Sequence, residues 1–93
     1  MDNTFAYRYI ESKPGVVDGE PVIKGTRVSV RTIVLNWRRG IPPEEIPNSF
    51  PHITLAQVFD ALSYYSDNQE EINGYIEQNY IPKKLLHPLV RDL

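Results

Sequence analysis

The residues with the clearest potential for binding chemistry are five cations between positions 21 and 43, a stretch without any acidic residue. They are Lys24, Arg27, Arg31, Arg38 and Arg39. Clustered guanidinium and ammonium groups bind phosphates, and several such contacts make a complex strongly salt-dependent. Residues 44–82 carry acids and no lysine or arginine, so contact with a polyanion should come from the first block. The alternative is that the two blocks neutralise each other across the fold or across a dimer.

Two candidate residues have a structural explanation beside the functional one. Gln57 falls early in a predicted helix, and its amide could pair with an adenine edge in the major groove. It also follows Thr54 by three residues, which is the spacing of a capping box, and we favour that role. Arg27 either contacts phosphate or forms an ion pair with Asp18, Glu20 or a carboxylate of the acidic block.

The other polar residues form no catalytic or metal-binding pattern. His52 and His87 are far apart and lack neighbours at ligand spacing, and the chain has no cysteine. Ser49, Ser63 and Ser66 have no adjacent base in any motif that activates a nucleophile. There is no glycine-rich phosphate loop. We therefore expect a protein that is not an enzyme and needs no metal and no cofactor.

Composition and length favour one small domain. The 93 residues are 41% hydrophobic and 24% charged, within the globular range. A chain of this length buries only about 60–65% of its unfolded surface, so pairing with a second copy would add core, and we expect a homodimer. No apolar run approaches the ~20 residues that span a bilayer, and the N-terminus lacks a signal-peptide core. These features favour a cytoplasmic protein without membrane contact.

Turn signals place the first cations on a small N-terminal β element at about residues 5–28. Phe5, Tyr7 and Tyr9 would occupy one face of its first strand. A tight turn follows at Lys24 to Arg27, in which glycine supplies the positive φ that such a turn needs.

Three helices are predicted, at about residues 30–39, 43–49 and 54–78. Ser29 caps the first, and Thr54 with its glutamine caps the third, which has a candidate break at residues 66–68. Pro47 should keep the second helix short or partly 3₁₀, because proline lacks the amide hydrogen of an α-turn. Gly40 is the expected stop of the first helix.

Apolar residues at helical spacing predict which helix faces enter the core. On the first helix they are Val30, Ile33, Val34 and Trp37. On the third helix they are Leu55, Val58, Phe59, Leu62 and Tyr65. Short helices joined by a tight turn are typical of the helix-turn-helix, in which the start of the second helix of the motif enters the major groove. We therefore predict a mainly α fold: a homeodomain-like three-helix core with a helix-turn-helix and a small N-terminal β element.

The run from Gly19 to Tyr65 resembles the family known as domain of unknown function 433. The family pattern is Gly-x-Pro-x-Ile-x-Gly-Thr-Arg, then a helix, a glycine, a Pro-Glu-Glu-Ile turn and a Pro-x-Leu/Ile-Thr helix start. It is matched here by Gly19, Pro21, Ile23, Gly25, Thr26, Arg27, Gly40, Glu44, Glu45, Ile46, Pro51, Thr54, Val58, Ala61 and Leu62. The resemblance covers about residues 15–75 and departs at Pro47, where the family commonly has alanine or another helix former.

The resemblance implies a homeodomain-like fold, often dimeric, and antitoxin-like proteins often encoded beside a PIN-like ribonuclease toxin. We therefore predict an antitoxin-like transcriptional autoregulator that binds operator DNA through the five cations and Gln57. The alternative is a protein-interaction module that binds no DNA, dimerises and neutralises a partner protein. The predicted domain covers residues 1–79. The tail, residues 80–93, is predicted to anchor in a groove of a partner protein through an apolar side. That side is formed by Leu85, Leu86, Leu89 and Val90.

Overall fold

The computed structural model describes residues 7–80, which are mainly helical with one small antiparallel sheet. The strands are β1 (Ile10–Glu11) and β2 (Val22–Ile23), and a 3₁₀ turn (Val17–Gly19) lies between them. The helices are α1 (Val30–Arg38), a 3₁₀ helix (Pro43–Ser49), α2 (Leu55–Asp67) and α3 (Gln69–Gln78). The mainly α class with a small N-terminal β element is therefore confirmed. The first strand is shorter than predicted. It comprises only Ile10–Glu11, so Tyr7 and Tyr9 precede it, and Phe5 lies outside the described residues.

The sheet ends in a turn that is closed by its own side chains. Ile10 pairs with Ile23, and the chain then reverses through Gly25, whose φ is +76°. The Thr26 hydroxyl donates to the Ile23 carbonyl (2.8 Å) and accepts from the Val28 amide (3.0 Å). These bonds within the turn hold its backbone in one shape.

Helix α1 begins and ends where its capping residues predict. The Thr32 amide donates to the Ser29 hydroxyl at 3.0 Å, and Gly40 has φ +90° just beyond the helix. Val30, Ile33 and Val34 are fully buried, as expected. Trp37 was wrongly assigned to the core, because it lies in the last turn, beside a surface cleft, and is 45% exposed.

The 3₁₀ helix and the start of α2 also follow the local signals. The segment Pro43–Ser49 is 3₁₀ throughout, with Pro47 inside it and Ile46 buried. At the start of α2 the capping box is complete. The Gln57 amide donates to the Thr54 hydroxyl (3.2 Å), and the Thr54 amide donates to the Gln57 side-chain oxygen (2.7 Å). The candidate break after α2 is confirmed at Asn68.

The buried face of α2 differs from the predicted stripe. Its buried residues are Val58, Ala61, Tyr64 and Tyr65. Leu55 and Phe59 were wrongly placed in the core, since they are 37% and 50% exposed. The five-residue stripe was wider than the contact that one helix makes with its neighbours, so only one of its edges enters the core.

The segment before β1 is fastened to α2 by two carboxylates. The Tyr9 amide donates to Asp60 at 2.8 Å, and the Tyr7 hydroxyl donates to Asp67. The Tyr7 ring also packs edge-on against Tyr64, with 5.0 Å between ring centroids. Burial of the hydroxyl, assisted by the hydrogen bond and charge of Asp67, raises the pKa of Tyr7 to about 12.

Candidate functional site

A groove of about 500 Å³ lies between two turns at the N-terminal end of α2. One wall is Gly25 to Val28, from the turn that follows β2, and the other is Ser49 to Ile53, which connects the 3₁₀ helix to α2. We call it the turn groove. The groove adjoins the start of the helix that the sequence predicted as the second helix of a helix-turn-helix.

The turn groove combines an apolar floor with a polar rim. Phe50 and Val28 are half-buried and Ile53 is buried. Arg27 and His52 are exposed on its rim. Within residues 7–80 no hydrogen bond or ion pair engages the guanidinium of Arg27, so it does not pair with Asp18 or Glu20. The groove therefore offers a ligand an imidazole and a guanidinium that no group within residues 7–80 engages.

Glu20 is instead the partner of Arg31. The Nε of Arg31 donates to Oε1 of Glu20 at 3.0 Å, and Nη2 donates to Oε2 at 3.3 Å. Glu20 is 5% exposed, so this two-pronged pair is nearly removed from water. Arg31 was predicted to contact DNA, but its guanidinium is already engaged in this structural ion pair.

The remaining arginines lie at the other end of α1. Arg38 donates through Nη2 to the Tyr65 hydroxyl (2.6 Å) and to Oδ1 of Asn73 (2.7 Å), and it lies over the Tyr65 ring. Arg39 is exposed just after the helix. A helix rises about 1.5 Å per residue, so α1 separates this end from the turn by more than 10 Å. The basic block is therefore divided between two places.

The basic and acidic blocks do not neutralise each other within the described part of the chain. Its ion pairs join Arg31 to Glu20 and Lys13 to Glu11, and both carboxylates precede the acidic block. Arg38 reaches α2 and α3 through a phenol and an amide instead of a carboxylate. The exposed Lys24 side chain also has no partner among residues 7–80.

Comparison with known proteins agrees with this architecture. The family model described as "Protein of unknown function (DUF433)" matches residues 10–65, more than half of the chain. The chain belongs to the DUF433 family. The crystal structure of a DUF433 member protein from Anabaena variabilis ATCC 29413 is similar, with 31% sequence identity and a TM-score of 0.72. That similarity covers 80% of this chain and 73% of the other. No curated protein matches.

The outward face of α2 in this DUF433 protein is poor in groups that bind phosphate. Gln57, predicted as a base contact, uses its side-chain oxygen in the capping box, as the favoured alternative proposed. The exposed residues of the helix include Leu55, Ala56, Phe59 and Ser63, and α2 carries no lysine or arginine. Asp60 is half-buried and accepts from the Tyr9 amide, so it does not project from this face as a free charge.

Sequence reasoning missed the second wall of the groove and the true partner of Glu20. Phe50, Pro51 and His52 were not among the predicted site residues. An aromatic residue beside proline in a short connection was the available signal that the connection carries a surface feature. The pairing of Arg31 with Glu20 had no local signal, since the two residues are 11 apart and belong to different elements.

The partner-binding set Leu85, Leu86, Leu89 and Val90 lies outside the described residues. Residues 7–80 contain no group of three or more histidine, cysteine, aspartate or glutamate side chains placed to hold a metal ion. None of the helices described there is long and apolar enough to cross a bilayer.

Proposed function

We propose that this DUF433 protein is an antitoxin-like DNA-binding regulator that contacts phosphates through the turn groove. The observation that carries the proposal is the exposed guanidinium of Arg27 at the N-terminal end of α2, which has no partner among the described residues. Lys24 belongs to the same turn and is also exposed. Two cations on one closed turn, beside the end of a helix-turn-helix that approaches DNA, are suited to binding the backbone of a duplex.

The rigid turn favours this role over that of a solvated surface loop. The Thr26 hydroxyl holds the turn at both ends, and the Lys24 amide donates to the Tyr9 carbonyl at 2.7 Å. The backbone that carries both cations is thus already ordered before binding. Less conformational entropy is then lost when they meet phosphate.

The division of the basic block sets a limit on the salt dependence. Arg31 is engaged in an ion pair, and Arg38 in bonds to α2 and α3. Arg39 is exposed but lies at the far end of α1, so the turn groove of one copy offers Lys24 and Arg27 as phosphate contacts. The logarithm of the binding constant falls against the logarithm of salt concentration by about 0.9 per phosphate contact. A dimer with two contacts from each copy should therefore give a slope of about −3.6.

The test is titration of the purified protein against labelled duplex from the promoter of its own gene, by fluorescence anisotropy at several salt concentrations. Arg27→Ala and Lys24→Ala should each weaken binding and make the slope smaller by about 1 for every phosphate that is no longer bound. Arg39→Ala is the matched control, since it removes the same charge at the other end of α1. Unchanged affinity in the Arg27→Ala, Lys24→Ala double variant would refute the proposal.

The apolar outward face of α2 favours a second candidate function, that of a protein-interaction module that binds no DNA. The partner would be a ribonuclease of the kind that the family resemblance implies, encoded by the neighbouring gene. Its test is co-purification of the two gene products, with and without residues 80–93. Retention of the complex after this deletion would exclude the tail, with Leu85, Leu86, Leu89 and Val90, as the anchor.

A further inference from the structure

The outward side of α2 carries a row of uncharged residues that the described chain covers only in part, since Leu62 packs partly against the core while the other three residues are exposed. Leu55, Phe59, Leu62 and Ser66 follow one another at intervals of four, three and four residues, and we call this row the α2 seam. Alternation of three and four is the spacing with which a helix meets another helix in coiled-coil packing. Phe59 is half exposed, so the seam presents an aromatic side chain to water.

Trp37 extends the α2 seam sideways onto α1. It lines a cleft of about 390 Å³ together with Leu62, Tyr65, Ser66 and Gln69. The cleft thus opens beside the C-terminal half of the seam. It has room for an aliphatic side chain such as leucine.

The α2 seam has the composition of an interface centre. None of its four residues is charged, and the flanking Ala56 and Ser63 are small, which lets another backbone approach closely. Depletion of charge and enrichment of aromatic residues mark the centre of protein interfaces. A row of neutral side chains also permits two identical surfaces to meet without like charges facing each other.

We propose that a second copy of this chain packs its α2 antiparallel against the α2 seam. The charges at the helix ends select this direction. Asp67 ends α2 and Glu70 follows, whereas the start at Thr54 has the positive end of the helix dipole. Antiparallel pairing brings each acidic end to a positive end, and a two-fold axis between Phe59 and Leu62 places Leu55 of the partner subunit beside the Trp37 cleft.

The exposed apolar area agrees with such a centre. Trp37 and Phe59 are each about half exposed and Leu55 about one-third exposed. Because a large aromatic side chain buries roughly 150–250 Å², these residues supply about 200–300 Å² per copy. A standard interface buries about 800 Å² per partner, so polar residues around the seam must supply the rest. This self-association does not depend on DNA binding.

The experiment uses the full 93-residue chain and reads two signals over a dilution series. Sedimentation velocity should give about twice the 10.7 kDa chain mass at high concentration. Trp37 is the single tryptophan, and its emission should move to longer wavelength with the same midpoint as dissociation. Phe59→Glu should raise the dimer dissociation constant at least about 30-fold, as loss of an interface hot spot does.

Two further variants separate dissociation from misfolding. Phe59→Ser should also weaken the dimer without adding charge, and far-ultraviolet circular dichroism should show both variants folded. Tyr80→Glu is the matched control, because Tyr80 is an aromatic residue that is 68% exposed and lies outside the seam. It should leave the dimer intact.

Three outcomes would overturn the inference. One is a wild-type chain that is monomeric at every concentration. Another is a dimer that tolerates Phe59→Glu. The third is a monomer with short-wavelength Trp37 emission that dilution does not change, which would assign the cover of the seam to residues 81–93 of the same chain.

Discussion

The Glu20–Arg31 neighbourhood and the α2 seam depart from the usual distribution of side chains in opposite ways. The first buries charged groups, and the second exposes apolar ones. In the first case every buried polar side-chain atom within residues 7–80 has a hydrogen-bond partner. In the second case the described chain supplies no cover for Phe59. The buried charges thus find their partners within the fold, whereas the exposed apolar side chains indicate a contact with another molecule.

The same contrast separates two arginines of one basic block. Arg31 lies on α1 within reach of Glu20 and holds the β element against the helix. Arg27, four residues earlier, lies on the exposed turn and remains free among the described residues. The two arginines therefore differ in their surroundings, and substitutions can test whether this difference matters for stability and binding.

The largest effect on stability is expected at the buried ion pair. Glu20→Ala leaves a largely buried guanidinium without its partner and should lower the free energy of unfolding by about 3 kcal/mol. Lys13→Ala, which removes a pair with an exposed lysine, should lower it by less than about 1 kcal/mol. Urea unfolding measures both. Equal losses in the two variants would mean that the Glu20–Arg31 pair does not support the fold as described.

An intermediate effect is expected at two adjacent residues at the start of α2. Thr54→Ala removes the capping hydroxyl and should lower the free energy of unfolding by about 1 kcal/mol. Leu55→Ser removes an exposed side chain of the α2 seam and should change it by no more than about 0.5 kcal/mol. The free energies of unfolding of the two variants are compared by thermal and urea unfolding, at protein concentrations that favour the monomer. A greater loss for Leu55→Ser would place the seam in the core of the single chain.

An effect that at neutral pH is no larger than that of Thr54→Ala is expected from the tyrosine that fastens the N-terminal segment. The pKa of Tyr7 is raised to about 12 from 10.0, so its stabilisation is complete below pH 10. It is lost as the pH rises through about 12, because the folded chain then disfavours the phenolate that the unfolded chain forms readily.

Tyr7→Phe should therefore reduce the fall in stability between about pH 10 and pH 12, measured by urea unfolding at each pH. Part of the fall should remain, because the pKa of Tyr75 is also raised. Burial is the main cause of that rise, followed by the nearby carboxylates of Glu71 and Glu20. At neutral pH the variant loses only the bond to Asp67, which should amount to about 1 kcal/mol. An unchanged profile in alkaline solution would contradict the burial of the Tyr7 hydroxyl.

The features that followed correctly from sequence are those whose partners lie within one turn of chain. The Ser29 cap, the reciprocal Thr54–Gln57 cap and the stop at Gly40 each involve groups three or fewer residues apart. Pro47 acts through its own missing amide hydrogen. Such interactions depend on residue type and spacing alone, so the starts and ends of the helices could be predicted closely.

The faces of the helices could be predicted only in part. On α1 the periodicity identified the buried Val30, Ile33 and Val34, yet it also included Trp37. On α2 it included Leu55 and Phe59, because a wide apolar stripe is compatible with several rotations of the helix about its axis. The rotation is set by what the helix packs against, and α2 turns Ala61 and Tyr64 inward instead.

A mainly helical chain with capped helices, a closed glycine turn and a basic block followed by an acidic one all follow from residue types and their spacing. Which cations of that block lack a partner within residues 7–80, and which apolar residues stay exposed there, could be read only from the folded chain. Both outcomes depend on contacts between elements far apart in sequence, such as the contact of Glu20 with Arg31. Local spacing carries no information about which of two equivalent side chains will meet a partner from another element.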